Sequence, residues 1–442
     1  PTVHHGAWFY WILAPGAFGS DAHPVAAMVT LAVIGIAGVA AVWWLGRTVG
    51  GPLAGHLSAL LMAVSPSAIN ASTFVWNANI VAPGAALAAA AAWQAWRTRR
   101  ARWWLLSAVG GLLMLNGHLL AVVAVPSFTA LVVANVLRRP RSEWPRMLAP
   151  ILGSVAIIAL GYLPNLVYDL HNGFAQSHAI AEFLATSDES VGPSAPVLLV
   201  TIFQRVLAWP VSGFAKTEPL SGWPAAFITT AALLFAAIGG RGITRLFGCW
   251  AAATMVWAVL ALGVISPSLG TSFVGLPTDQ YHTWLDPILF AAIGIAGAGL
   301  WSMRTALAPR TAAVALAGSC VALSLLSLPP WSSPDGGWPR AAATATRIRA
   351  ITGDRTTAVI GVAKTGAALE FPLRRQHSPI AEPSVAEFLV ITCDPLFFRV
   401  AVLPCGGQAE AAMARDVDFP TARVVTRFAD GPRRVISIFS NH

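Results

Sequence analysis

The sequence predicts an α-helical polytopic membrane protein with a small C-terminal α/β domain, and three observations lead there. Of the 442 residues, 56% are hydrophobic and 11% charged, where a soluble domain carries about 25% charged residues; mean hydropathy is +0.65. Uncharged apolar runs recur through roughly the first 330 positions, and a membrane-crossing helix needs about 20 such residues. Beyond that point the composition turns polar and short β-branched runs take over. A single soluble domain is excluded. The formal charge of +9 does not mark a nucleic-acid binder, because the basic residues are not gathered into one patch.

Apolar runs bounded by Arg, Pro, Gly or Asn place about ten spans, near residues 24–45, 53–69, 79–96, 103–116, 118–137, 147–168, 224–239, 246–265, 284–302 and 311–328. The split at Asn116-Gly117-His118 rests on few polar residues. The chain opens at Pro1, inside a polar and aromatic segment with no initiator Met, and reads as lacking its natural N-terminus.

Alternation of the spans sorts the charges. One set of loops holds Arg47, Arg97, Arg99, Arg100, Arg102, Arg138, Arg139, Arg141, Arg146, Arg241, Arg245, Arg304 and Arg310, and the other only Arg205 and Lys216. By the positive-inside rule the first set is cytoplasmic. This places the protein in the plasma (inner) membrane and everything after residue 329 outside the cytoplasm. The external side also collects Asp21, Asp169, Glu182, Asp188, Glu189, Glu218, Asp279 and Asp286, with His4, His5, His23, His171, His178 and His282. Any one of these acids is most simply a loop residue meeting water. As a set they form the face where acid, base or metal chemistry is expected.

The division expected is a membrane domain over 1–329 and an extracytoplasmic domain over 330–442. After a Pro- and Gly-rich linker come a helical stretch at 340–351 and strand-like Ala358 to Val362, Phe388 to Thr392, Val424-Val425 and Arg434 to Phe439. Strands alternating with helices argue for a small α/β domain, and no Gly-rich phosphate loop marks it as nucleotide-binding. Cys393 and Cys405 lie in this external segment. A disulfide is the natural reading in an oxidising compartment, and a zinc pair is the rival, without a C-x-x-C or a close His to support it.

Several external segments carry candidate binding groups. His4-His5 followed by Trp8, Phe9, Tyr10 and Trp11 could meet a phosphate, a metal or a sugar hydroxyl, although the aromatics alone fit an interfacial belt. Asn70, Trp76, Asn77 and Asn79 can hydrogen-bond and stack on a sugar ring, with helix capping as the plainer role. Asn116 and His118 lie within apolar sequence, where polar groups are costly and often face a cavity. Tyr162-Leu163-Pro164-Asn165 leads into Tyr168-Asp169-Leu170-His171-Asn172-Gly173-Phe174 and a loop of some fifty residues, 169–223, expected to act as a lid.

These segments, in this order, resemble the polytopic GT-C glycosyltransferases. The similarity is to the bacterial proteins like dolichyl-phosphate-mannose protein mannosyltransferase and the aminoarabinose transferase. It rests on His4-His5-Gly6 with its aromatics, Leu45-Gly46-Arg47, Gly55 to Ser65-Pro66, Leu163-Pro164-Asn165, Tyr168-Asp169-Leu170 and Asn172-Gly173-Phe174, and covers residues 1 to about 330. The resemblance implies a polyprenyl-phosphate-linked sugar donor held within membrane lipid, an extracytoplasmic acceptor and no nucleic acid. It implies no particular cofactor, and a divalent metal is compatible with the external acids and histidines. The family's acidic residue follows the first span, so the main base is expected in sequence preceding Pro1, with Asp21 matching only the end of that loop. On this reading Asp21 and Asp169 are the catalytic candidates. His4, His5, Asn77, Asn79, His118, Asn172, Tyr281 and His282 are the substrate-binding ones. A transporter or flippase is the alternative, and it predicts internal repeats and charge at mid-membrane; no repeat is found.

Overall fold

The computed structural model describes residues 6–186, 194–213, 219–266, 269, 279–303, 307–332, 336–361, 365–394, 408–419, 423–431 and 434–441. It divides into two compact units, Pro1–Pro329 and Pro330–His442.

The first unit is helical. It begins with α1 (Ala7–Gly19), α2 (Pro24–Gly50), α3 (Pro52–Val64) and α4 (Pro66–Ala71). Local chemistry explains these boundaries. His23 caps α2, its Nδ1 accepting from the Val25 N–H at 3.3 Å ahead of Pro24 at the first turn. Gly51, at φ 87°, ends α2 in a conformation that costs glycine little, and Pro52 starts α3. Then follow α5 (Val81–Thr98), α6 (Arg102–Gly117), α7 (Val125–Leu137), α8 (Pro145–His171), α9 (Ala175–Thr186), α10 (Ala195–Ser212), α11 (Pro219–Leu234), α12 (Ile243–Ile265), α13 (Asp286–Ser302) and α14 (Leu307–Leu326).

Among the described residues eight helical stretches are long and apolar enough to cross a membrane, and α2, α8, α12 and α14 are among them. Of the remaining expected spans, 53–69, 79–96 and 103–116 fall on α3, α5 and α6. Outward stripes of Val25, Val29, Val33 and Ile36 on α2, Leu148, Leu152 and Val155 on α8, and Val256, Leu260 and Val264 on α12 are exposed. Apolar residues at helical spacing on an outer surface fit contact with lipid rather than water. The interior is packed through small residues: Ala88 to Ala92 are buried, and α5 meets α6 so closely that a Cβ on Gly84 would lie 2.7 Å from the Met114 nitrogen. Helix α13 is central, buried from Asp286 to Ala298.

The long external loop expected over 169–223 is not a loop. Much of it is helix, α9 and α10, and α10 is itself long and apolar enough to span. Its contacts nonetheless run along one end of the bundle. Leu199 lies beside Gly263 near the end of α12, the Arg205 guanidinium donates to Leu269 O at 3.1 Å, and Ser65 donates to Pro210 O at 2.6 Å. Ser324, near the end of α14, donates to Val211 O at 3.0 Å. Helix α10 therefore lies across the end where α3, α12 and α14 finish.

In the second unit, α15 (Gly337–Thr352), α16 (Ala367–Arg375) and α17 (Gln408–Asp416) flank β1 (Thr357–Gly361), β2 (Phe388–Cys393), β3 (Arg423–Ala429) and β4 (Val435–Ser440). The sheet order is β1-β2-β4-β3, with β1 and β2 parallel and the other pairs antiparallel. Alternation along β2 sends Leu389, Ile391 and Cys393 to a core with Ala414, and Phe388 and Val390 to one with Ile348 and Leu369. Helices therefore cover both faces. Cys393 is disulfide-bonded and Cys249 and Cys320 are free; Cys405, its expected partner, lies outside the described residues.

Candidate active site

A cavity of about 380 Å³ opens at the end of the first unit where α3 gives way to α4, a size typical of small-molecule sites. Helix α2 contributes Gly35, Ile36 and Val39, the stretch after α4 contributes Ser72, Thr73, Phe74, Trp76 and Asn79, and α5 begins along it at Ala82 and Pro83. Met62 of α3 and Ser67 to Ala71 of α4 line it too, and Trp209 of α10, Gln280 and Thr283 of the segment before α13, and Asp286 and Phe290 of α13 stand in its wall. Asp286 is 4% exposed and is the one carboxylate among the described lining residues, which include no Lys, Arg or His.

Each wall is held by identifiable bonds. The Ser65 bond to Pro210 O fixes the end of α10 and so sets Trp209 into the wall. Asn79 donates to Phe74 O at 2.6 Å, which closes the turn carrying Trp76. Tyr281 stacks on His118, ring centroids 5.0 Å apart, and His282 meets Trp209 edge-on at 5.9 Å. Gln280 and Thr283 flank that pair, so the segment is anchored on both sides of the residues it offers to the cavity. Gln280 Oε1 is buried without a hydrogen-bond partner among the described residues; such an atom costs stability unless something fills the role.

Of the residues expected from the sequence, the cavity takes in Asn70, Trp76 and Asn79 directly and keeps Tyr281, His282 and His118 one contact away. His118 accepts the Leu120 N–H at 3.1 Å and caps a helical turn. The others are elsewhere. Asn77 is buried and donates to Gly117 O, tying the turn to the end of α6. Asp21 is exposed in the turn between α1 and α2, at φ 52°. Asp169 corrects the expectation most clearly: it accepts from the Gln176 N–H at 2.8 Å and from the Ser177 N–H and hydroxyl, so its carboxylate is committed to the first turn of α9. Asn172 is exposed and donates to Tyr168 O at 2.7 Å, closing the end of α8. His4 and His5 lie outside the described residues. The aromatics after them serve packing: Phe9 is buried with Leu13 and Leu31, and Trp8 Nε1 donates to Gly161 O at 3.1 Å.

Sequence reasoning missed Trp209, Gln280 and Thr283 as site residues, and left Asp286 among the generic external acids. The available signal was Asp286 itself, an acid opening a long apolar run. Among the described residues no three His, Cys, Asp or Glu side chains gather as a metal site.

The chain thus combines a helical unit that has a cavity at its helix ends with a small α/β unit that follows it in sequence. Residues 4–168 match the protein family described as dolichyl-phosphate-mannose-protein mannosyltransferase. In fold the chain is similar to ArnT from Cupriavidus metallidurans in the apo state, with TM-score 0.57 and 13% identity, covering 99% of this chain and 88% of that one. The same enzyme bound to undecaprenyl phosphate gives TM-score 0.56 and 14% identity, over 98% and 87% of the two chains. The oligosaccharyltransferase AglB from Archaeoglobus fulgidus, in complex with an inhibitory peptide and a dolichol-phosphate, gives TM-score 0.51 and 12% identity, over 99% of this chain and 66% of that one. No curated protein matches the chain in sequence.

Proposed function

We propose that the protein is a membrane glycosyltransferase that moves a sugar from a polyprenyl-phosphate donor to an extracytoplasmic acceptor. The observation that carries this is Ile36. It lines the cavity that holds Asn79, Gln280 and Asp286 and is also 69% exposed in the apolar stripe of α2. A mostly apolar site with a few polar groups, whose rim continues into an exposed apolar stripe, suits a substrate with a phosphate and sugar at one end and a hydrocarbon tail at the other. A transporter would carry its polar groups near mid-membrane; here they gather at the starts of α5 and α13. Similarity to enzymes described with undecaprenyl phosphate and dolichol-phosphate supports the donor class.

In the reaction, the acceptor oxygen bonds to the anomeric carbon while the bond from that carbon to the phosphate oxygen breaks. The electron pair leaves with the polyprenyl phosphate. Asp286 is the group placed to align the acceptor hydroxyl and take its proton. The amides of Asn79 and Gln280 supply hydrogen bonds to sugar or phosphate oxygens, and Trp76 and Trp209 offer indole faces to the ring. This reassigns the carboxylate role from Asp21 and Asp169. The cavity end belongs on the extracytoplasmic side by the arginine asymmetry of the other end.

Two measurements test the reading. The purified protein in vesicles, given a polyprenyl-phosphate sugar and an envelope acceptor, should release polyprenyl phosphate in step with glycosylated product; donor that changes leaflet but stays intact would favour transport. In a variant lacking native Cys249, a cysteine at position 355 should react with an impermeant reagent on intact cells while one at position 100 does not. The reverse pattern would place the cavity in the cytoplasm.

A further inference from the structure

At the opposite end of α5 from the cavity lies an open cleft of about 800 Å³, walled by the ends of α2, α5 and α7 and the start of α12. Arg47, Arg97, Arg99 and Arg138 all line it, and no carboxylate is among its described lining residues or paired with any of the four. Part of this charge has a structural use. Arg97 donates to Thr48 O at 3.3 Å and Arg138 to Trp96 O, satisfying carbonyls near helix ends. That does not account for the cluster. A guanidinium has five N–H donors, and the side chains of Arg47 and Arg99 donate to no protein acceptor among the described residues. Arg138 is held below the ordinary arginine range by burial and then by Arg99 and Arg139, a sign that these cations crowd one another. Across the cleft, α12 starts at Gly242 and Ile243 with no side chain capping its first turn, so the positive end of the helix adds to the field.

We propose that this cleft binds the phosphate headgroup of an anionic membrane lipid, a site separate from the transfer cavity and independent of the reaction proposed there. A lipid is favoured over free phosphate by what surrounds the charge. Leu246 lines the cleft and is exposed, so the basic surface runs into apolar surface where acyl chains can lie. The Arg138 guanidinium sits 3.9 Å above the Trp96 ring and that of Arg47 4.9 Å from Trp43, indole and arginine together as at a membrane interface.

The test uses full-length protein in detergent, titrated with phosphatidylglycerol, phosphatidylcholine and inorganic phosphate and followed by native mass spectrometry and thermal unfolding. Phosphatidylglycerol should be retained and should raise the Tm, and phosphatidylcholine should do neither. The double substitution Arg47→Gln with Arg99→Gln, which leaves the carbonyl bonds of Arg97 and Arg138 intact, should weaken phosphatidylglycerol binding at least about tenfold, whereas Arg310→Gln should not. If the double variant fails to fold, rising salt should strip phosphatidylglycerol from the wild type. Inorganic phosphate stabilising as well as the lipid would overturn the lipid assignment. Equal retention of phosphatidylglycerol and phosphatidylcholine, or wild-type retention that ignores salt, would overturn the site.

Discussion

At its start, α5 borders a cavity whose described lining holds one carboxylate, Asp286, and no basic side chain; at its end, Arg97 and Arg99 join Arg47 and Arg138 in a cleft with no carboxylate. The two ends of this 18-residue helix are separated by about 27 Å at 1.5 Å per residue. Their polar groups are satisfied in different ways. In the cleft, guanidiniums bond to the carbonyls of neighbouring helix ends, which uses charge to terminate helices and to orient the chain in the membrane. In the cavity, amides and hydroxyls close local turns, as Asn79 does on Phe74 and Ser72 on Ala68 O at 2.9 Å. Asp286 is the one carboxylate among the described residues that line this space.

Three substitutions sharpen this contrast. Trp209→Ala removes an indole from the cavity wall and the support of His282, and should lower kcat/KM for transfer about thirtyfold, the scale of roughly 2 kcal/mol of lost transition-state binding. His118→Ala acts through Tyr281 rather than by touching substrate. Its expected cost is about tenfold, with His118→Asn, which keeps an acceptor for the Leu120 N–H, recovering part of it. Asn172→Ala loses one exposed bond at the end of α8 and should change stability by no more than about 0.5 kcal/mol, with transfer kinetics unchanged. A large effect of Asn172→Ala would mean that the active cavity extends to α8 and α9, contrary to the division drawn here.

Much of the fold was legible because its signals are local. The apolar runs gave helices at the expected places, and β2 and β4 followed from alternating Val, Ile and Phe. Helix α10 was hidden because Thr201, Gln204 and Arg205 interrupt its apolar pattern, yet Thr201 bonds back to Val197 O of its own helix while Gln204 lies beside Gly222 and Arg205 donates to Leu269 O. The site was less legible for the same reason. Asp169, Asn77 and Asn172 look like binding groups in sequence, and each proves to satisfy backbone groups at a helix end or turn, with partners that spacing does not reveal. Asn79 was readable because its turn is short. Trp209 and Gln280 are set into the cavity wall by Ser65 and by the ring contacts of Tyr281 and His282, which only the folded chain brings together.

The most direct test of the central claim is single-turnover transfer from a polyprenyl-phosphate sugar by full-length wild type and Asp286→Asn protein of equal folded yield. The amide keeps the shape of the carboxylate but cannot take the acceptor proton. The account predicts a fall of about 10² to 10⁴ in the chemical step with donor binding retained. Transfer at the wild-type rate by the Asn variant would contradict it and remove Asp286 from the reaction.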